Sequence, residues 1–150
     1  MEGSPFRRQS VADNAVAVKR PYVAGPMSRI PKYNVPAFMA VAAELRSRGL
    51  RPILPADLQS KRHRDALMKS DGHAPATDKT WGDWLSLDVR LVADEADSVV
   101  VLPGWRKSRG ARLETFVAYL CGKPVLYYPS LTRVPRTILF NVWMGRGARL

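Results

Sequence analysis

The sequence predicts an α/β protein, a three-layer sandwich around a parallel sheet of about five strands, of the flavodoxin-like or Rossmann-like type. The first observation is the short β-branched run at residues 98–101, Ser-Val-Val-Val, which is typical of a buried parallel strand. The second is the glycine-containing loop that follows it and leads into apolar residues at helical spacing: Leu113, Phe116, Val117 and Leu120. Strand, loop and helix in this order indicate a parallel sheet with crossover helices.

The elements before that motif follow the same order. Residues 1–18 are polar and without periodicity, so we expect an irregular arm, and a single domain over 19–150. Residues 19–24 read as the first strand. The helix expected over 37–48 has apolar residues at helical spacing and ends at a glycine, and residues 51–54 read as a second strand.

Residues 55–80 interrupt this alternation. They contain the basic run Lys61-Arg62-His63-Arg64, and a segment of this length is either a functional loop or lid, with a short helix near 65–69, or a solvated charged excursion. After it we expect a helix over 81–93 and a third strand over 98–102.

The remaining chain supplies one more strand and a tail. Residues 125–128 read as the fourth or fifth strand. The tail at 131–150 contains the apolar patch 138–144, which either packs on a partner subunit or closes the core.

Composition limits the function classes. The 150 residues carry a formal net charge of +11, and no acidic residue follows Glu114. Such a field favours polyanions, although a basic composition alone also accounts for it. No stretch has the length of a membrane span or the core of a signal peptide, so we expect a cytoplasmic protein without membrane contact. Cys121 is expected in the core, and His63 and His73 lack zinc-ligand spacing, so no metal or other cofactor is expected.

The residues that bear chemistry lie at the loop ends of the predicted strands. The dinucleotide motif G-x-G-x-x-G and the phosphate loop G-x-x-x-x-G-K-[ST] are both absent. Present instead are Tyr22, Asp88 and Glu114, and two carboxylates with a tyrosine suit displacement at an anomeric carbon. Backbone N–H groups around Ser108 and Gly110, at a helix N-terminus, suit a phosphate.

These residues resemble a known family. Tyr22-Val23-Ala24-Gly25-Pro26, then Asp88, then Ser108-Arg109-Gly110 and Glu114 are similar to the nucleoside 2-deoxyribosyltransferase family, over about residues 19–128. That superfamily includes 2′-deoxynucleoside 5′-monophosphate N-glycosidases. The segment 102–114 also resembles small phage and bacterial proteins placed beside it.

The resemblance implies a role for each matching residue. Glu114 would be the nucleophile on C1′ of the sugar, and Tyr22 would position its carboxylate. Asp88 would act as proton donor or orienting group. Ser108 and Gly110 would bind a 5′-phosphate, because the monophosphate glycosidases carry a serine at this position, whereas the transferases carry an aspartate that binds the 5′-hydroxyl.

Further substrate-binding candidates come from two loops and the tail. The loop after the first strand supplies Gly25, Pro26, Met27 and Ser28, and Ser28 stands where the glycosidases hold an arginine. Gly104 and Trp105 follow the third strand, where Trp105 is either a core residue or a cover for a base. The family takes a polar residue from a neighbouring subunit, for which Asn141 is the nearest candidate.

The expected function is cleavage of the base–sugar bond of a (2′-deoxy)nucleoside 5′-monophosphate by a homodimer or larger oligomer. One alternative is base exchange by a nucleoside 2-deoxyribosyltransferase. An alternative from another class is a non-catalytic nucleotide or nucleic-acid binder, including a binder of single-stranded DNA. The sequence leaves open which base is cleaved, which sugar is bound, and the pathway.

Overall fold

A computed structural model describes residues 17–73 and 77–146. Its centre is a parallel sheet of three strands in the order β1 (Pro21–Ala24), β2 (Ser98–Val101) and β3 (Val125–Tyr127). All three strands have buried residues on both faces, which explains why their sequences are apolar runs rather than alternating patterns. The α/β class and the parallel pairing are therefore confirmed.

The sheet is smaller than expected. Residues 51–54 were predicted to form a full strand, but they add only one parallel bridge, between Ile53 and Tyr22. Pro52 has no N–H to donate, and the hydrogen bonds around the bridge are Ile53 N–H to Pro21 O, 2.8 Å, and Val23 N–H to Ile53 O, 2.9 Å. At the opposite edge a single antiparallel bridge joins Leu126 to Arg133.

Six helices surround the sheet in the described part of the chain. In order they are α1 (Val35–Ser47), α2 (Ala56–Gln59), α3 (Lys61–Met68), α4 (Trp81–Arg90), α5 (Arg109–Leu120) and α6 (Arg136–Trp143). The helices predicted over 37–48 and 81–93 are confirmed as α1 and α4, the latter continued by a π-helical turn to Glu95.

The alternation of side chains along β1 separates two apolar cores. Tyr22 and Ala24 point into a core shared with α5 and α6, whereas Val23 points into one shared with α1. Helices therefore lie on both faces of the sheet. Segment 55–80 contains the two short helices α2 and α3, and α3 overlaps the helix predicted near 65–69.

Two other expectations have different outcomes. Cys121 was expected in the core, but it is exposed because it is the C-terminal cap of α5, past the helix's buried face. The arm predicted over 1–18 lies outside the described residues except for 17 and 18, and so do 147–150 of the tail. In the described ranges no helix combines the length and apolar character needed to cross a membrane.

Candidate active site

A buried tyrosine–carboxylate hydrogen bond lies where β1 meets α5. The Tyr22 hydroxyl donates to Glu114 Oε1 at 2.9 Å, and the two residues are 0% and 5% exposed. β1 fixes Tyr22 through pairing with Val99 of β2. Glu114 lies in the second turn of α5, because that helix begins at Arg109. Its position is therefore set by the packing of α5 on the sheet rather than by a favourable place at the helix N-terminus.

A second carboxylate reaches the same site from α4. Asp88 is half-buried, and its Oδ1 accepts a hydrogen bond from the backbone N–H of Ala56 at 2.7 Å. This bond ties the start of α2 to α4. It also places the next residue, Asp57, beside the pair formed by Tyr22 and Glu114, since Asp57 acts on the pKa values of both.

The electrostatics of this cluster follow from burial and from like charge. Burial, with the Asp88 charge as the second cause, raises the pKa of Glu114 to about 8. Burial also raises the pKa of Asp88 to about 7, against the opposing effect of the Ala56 N–H. Two carboxyls in one buried site cannot both ionise easily, so the pair retains a shared proton near neutral pH. The Tyr22 hydroxyl, whose own pKa is raised well above 10 mainly by burial, stays protonated.

The N-terminus of α5, where backbone N–H groups can attract an anion, lies next to this cluster. Ser108 is the N-cap, and its Oγ accepts from the N–H of Ala111 at 3.2 Å. A Cβ built on Gly110 would lie 4.0 Å from both Glu114 Oε1 and Ser108 Oγ. The bare face of Gly110 thus opens the space between the cap and the carboxylate, where free N–H groups of the first turn attract negative charge.

The cluster forms the floor of a cavity of about 1140 Å³. Its wall includes the predicted catalytic carboxylates Asp88 and Glu114 and most of the residues predicted to bind substrate: Gly25, Pro26, Met27, Ser28, Ser108 and Gly110. Tyr22 lies beneath this wall, fully buried. A cavity of this size at the carboxyl ends of parallel strands is the usual place for a ligand in an α/β fold.

The comparison with protein families gives one match. The model of the family described as Domain of unknown function (DUF4406) matches residues 19–127. The chain belongs to this family. No curated protein and no solved structure matches it significantly.

The match fixes which parts of the chain are shared with this family. The matched region begins just before β1 and ends with β3. It therefore includes Tyr22, Asp88, Ser108 and Glu114. Helix α6 with Asn141 lies beyond it. The family's description names no activity, so the function has to be argued from the site.

Besides Tyr22, three predicted site residues lie away from the cavity wall: Gly104, Trp105 and Asn141. Gly104 has φ +84° and starts the turn after β2, with its Cα face against Pro26. That turn directs Trp105 into the core, where it is 3% exposed, so its interpretation as a cover for a base is wrong and the core interpretation is confirmed. Asn141 is exposed on α6 and does not reach the cavity within this chain.

The cavity also contains residues that the sequence did not single out. Asp57 from α2, His63 from α3 and Trp84 from α4 all line it. Burial raises the pKa of Asp57, and the nearby His63 opposes this rise. The His63 ring meets the Trp84 ring edge-on at 5.0 Å. Asp57 follows Ile53 and Leu54 at the carboxyl edge of the sheet, which is the signal that could have identified it.

Cations and an exposed tryptophan lie at the rim beside Ser108. Lys107 and Arg109 flank the cap and line the cavity, and the Arg109 guanidinium lies 5.1 Å from the ring centre of Trp81. Arg29 lines the loop side of the cavity, next to Ser28. In the described ranges no group of three His, Cys, Asp or Glu side chains has a geometry that could hold a metal ion.

Proposed function

We propose that this chain is an N-glycosidase that cleaves the base–sugar bond of (2′-deoxy)nucleoside 5′-monophosphates. The observation that carries the proposal is the buried hydrogen bond from Tyr22 to Glu114. Only the space left by the missing side chain of Gly110 separates Glu114 from Ser108 at the N-terminus of α5. The resemblance of these residues to the nucleoside 2-deoxyribosyltransferase family supports it. The proposal also assigns the sheet and its helices to the flavodoxin-like or Rossmann-like type.

The location of the shared proton determines which carboxyl attacks. Tyr22 donates its hydroxyl proton to Glu114, which favours the ionised form of that carboxylate. In the free site the pKa of Glu114, about 8, exceeds that of Asp88, about 7, so attack by Glu114 requires the proton of the pair to pass to Asp88 when substrate binds. Glu114 is thereby assigned as nucleophile and Asp88 as acid, the division of labour that two neighbouring carboxyls adopt in glycoside cleavage.

The reaction then has two balanced steps. Glu114 forms a bond to C1′ while the C1′–N bond breaks, and the electron pair stays on the departing base nitrogen, or on a ring atom conjugated to it. Asp88 supplies the proton that the base takes up. In the second step Asp88, now ionised, accepts a proton from water, the hydroxide oxygen bonds to C1′, and Glu114 leaves as a carboxylate. The products are the free base and the sugar 5-phosphate.

The phosphate side uses groups that the helix already provides. The hydroxyl of Ser108 and the first N–H groups of α5 face the space left by Gly110, and Lys107 and Arg109 add positive charge. A carboxylate at position 108 would repel a phosphate. A serine there favours the nucleotide over the free nucleoside.

Base release from purified protein tests the proposal. Each common ribo- and deoxyribonucleoside and its 5′-monophosphate is incubated with the protein, and products are separated by chromatography. We expect free base from monophosphates, and a loss of roughly 10³-fold or more in Glu114→Gln. Glu95→Gln is the matched control, because Glu95 is an exposed glutamate paired with Arg20 on the surface. No release from any of these substrates would overturn the proposal.

The alternatives differ in their products. A transferase would release base from one substrate only when a second free base is present, and would form a new nucleoside or nucleotide. A non-catalytic binder would bind nucleotides with equal affinity before and after Glu114→Gln and release nothing. A binder of single-stranded DNA would lose affinity steeply with added salt.

The role of Ser108 is tested by comparing two helix caps. Ser108→Ala removes the cap of α5, and Thr80→Ala removes the cap of α4, whose hydroxyl accepts from Asp83 N–H. Each change should cost about 1 kcal/mol of stability. Only Ser108→Ala should also lower kcat/KM for the monophosphate, and so reduce the ratio of kcat/KM for the monophosphate to kcat/KM for the nucleoside. Equal ratios in the two variants would remove Ser108 from phosphate binding.

A further inference from the structure

The side chains of the cavity floor form a continuous row that starts at the helix cap. Ser108 is followed by Gly110, whose Cα face lies between Ser108 and Glu114. Glu114 is joined to Tyr22 by the 2.9 Å hydrogen bond. Since Tyr22 also lies close to Asp88, this half of the row runs from the N-terminus of α5 to the second carboxyl.

The row continues through the short helices α2 and α3. Asp88 is joined to the backbone of Ala56 at 2.7 Å, and Asp57 is the next residue. Asp57 lies close enough to His63 for the histidine to act on its pKa, and the His63 ring meets Trp84 at 5.0 Å. The far end of the row is therefore formed by the carboxylate of Asp57, the imidazole of His63 and the indole of Trp84.

A nucleotide has the same linear order. Its phosphate and its base are attached to opposite ends of the sugar, and C1′ carries the base. With the phosphate at Ser108 and C1′ against Glu114, the base lies on the side of Glu114 away from Ser108, and Asp88 and Asp57 are the carboxylates of the cavity that remain to contact it. This assignment rests on the proposed function, which fixes the first two positions.

Asp57 is built to accept hydrogen bonds at that end. It is half-buried in the first turn of α2, and its carboxylate accepts from its own backbone N–H. Among the described residues no other group donates a hydrogen bond to this carboxylate. The ring of His63 is fixed nearby, because its Nδ1 lies 2.8 Å from Ser60 Oγ. An ionised carboxylate offers only acceptors, so its natural partner is an N–H group of the ligand.

We propose that Asp57 is a specificity-determining residue that accepts a hydrogen bond from an exocyclic amino group of the base. The substrates are then nucleotides whose base carries an amino group on its hydrogen-bonding edge, such as cytosine or adenine. Bases that present a carbonyl oxygen at the same ring position place two acceptors face to face and are rejected. Trp84 and His63 supply the aromatic wall for the base ring.

Two matched substrate pairs test this inference. The monophosphates of deoxycytidine and deoxyuridine differ at one edge position, amino against carbonyl, and so do those of deoxyadenosine and deoxyinosine. We expect kcat/KM to favour the amino partner by about tenfold or more in each pair that is cleaved. Asp57→Asn should bring the ratio close to one, because an amide can donate to the carbonyl as well as accept from the amine.

The control variant is Asp65→Asn, an exposed aspartate on α3, which should leave the ratio unchanged. Equilibrium binding of the same pairs to Asp57→Asn gives a second readout if turnover is slow. A wild-type preference for the carbonyl partner, or a ratio that survives Asp57→Asn, would overturn the inference while base release still upheld the glycosidase. Absence of base release from every substrate would instead overturn the proposed function.

Discussion

At the scale of single residues, the burial of Glu114 links protonation to folding. Its pKa in the folded chain is about 8, well above the ordinary value of 4.5, mainly because of burial. Between those two pH values the folded chain holds a proton that the unfolded chain has released. The free energy of unfolding therefore falls as the pH rises from about 4.5 to about 8, at roughly 1.4 kcal/mol per pH unit for this one group.

Glu114→Gln removes that dependence, because the amide stays neutral and still accepts from Tyr22. We expect the variant to match the wild type in stability near pH 4 and to exceed it by a few kcal/mol at pH 9. Urea unfolding at a series of pH values measures this. Glu95→Gln, on the surface, should follow the wild-type profile. Parallel profiles for Glu114→Gln and wild type would show that Glu114 is ionised throughout, contrary to its burial.

The sequence identified the residues whose chemistry is distinctive and missed those whose role depends on packing. Tyr22, Asp88 and Glu114 were predicted because each lies beside a predicted strand end or on a predicted helix, and the structure brings them together. Asp57 was missed because the residues around it have no periodicity to show which face they present. Trp105 was assigned two alternatives because only the backbone turn at Gly104 directs its ring inward.

At the scale of elements, the start of α5 combines a helix cap with a cavity wall. Gly110 is the second residue of α5, and Gly82 is the second residue of α4. Alanine suits a helix better than glycine by about 1 kcal/mol, so both Gly→Ala changes should preserve or raise stability. The two added methyl groups have different surroundings, so the two variants together test whether the space beside Gly110 is needed for activity.

The methyl group added by Gly110→Ala would lie 4.0 Å from Glu114 Oε1, in the space assigned to the sugar phosphate. The methyl group added by Gly82→Ala would lie 3.7 Å from Thr80 Oγ1, outside the cavity wall. We expect Gly110→Ala to lower kcat/KM for base release by at least about tenfold, mostly through KM, and Gly82→Ala to leave it unchanged. Thermal melting checks that both fold. Full activity in Gly110→Ala would show that the substrate passes elsewhere.

Elements were predictable where local pattern and tertiary packing agree. Helices α1 and α4 follow the apolar spacing of their sequences, and β2 is a β-branched run buried on both faces. Residues 51–54 have a strand-like composition but form one bridge, because Pro52 and Pro55, on either side of Ile53 and Leu54, have no N–H for further pairing. The number of strands in a sheet depends on such edge contacts, which no single segment encodes.

At the scale of the whole molecule, α5 and α6 present a joint apolar surface. Phe116, Leu120, Phe140 and Met144 are 39%, 66%, 46% and 69% exposed. The rings of Phe116 and Phe140 both pack against Trp143, so the surface is continuous across the two helices. An exposed apolar patch of this kind typically marks a surface that contacts another protein. The homo-oligomer expected from the sequence remains a prediction, and this surface is where we place its contact.

Charge supplies the means to test that contact. With a net charge of +11, two copies repel each other, so added cations in the interface should separate them. Leu120 is the last residue of α5, and Met144 is the C-terminal cap of α6. Lysine at either position is favoured by the helix dipole, so Leu120→Lys/Met144→Lys should fold normally.

We expect the wild type to sediment as a dimer at tens of micromolar and the double lysine variant as a monomer. Met39→Lys, which changes an exposed methionine on α1, should remain dimeric. If a neighbouring copy supplies Asn141 to the cavity, the double variant also loses base release, and Asn141→Ala reproduces that loss without dissociation. A wild type that sediments as a monomer would leave the α5–α6 surface without a second copy, and activity measured on that monomer would show the site to be complete within one chain.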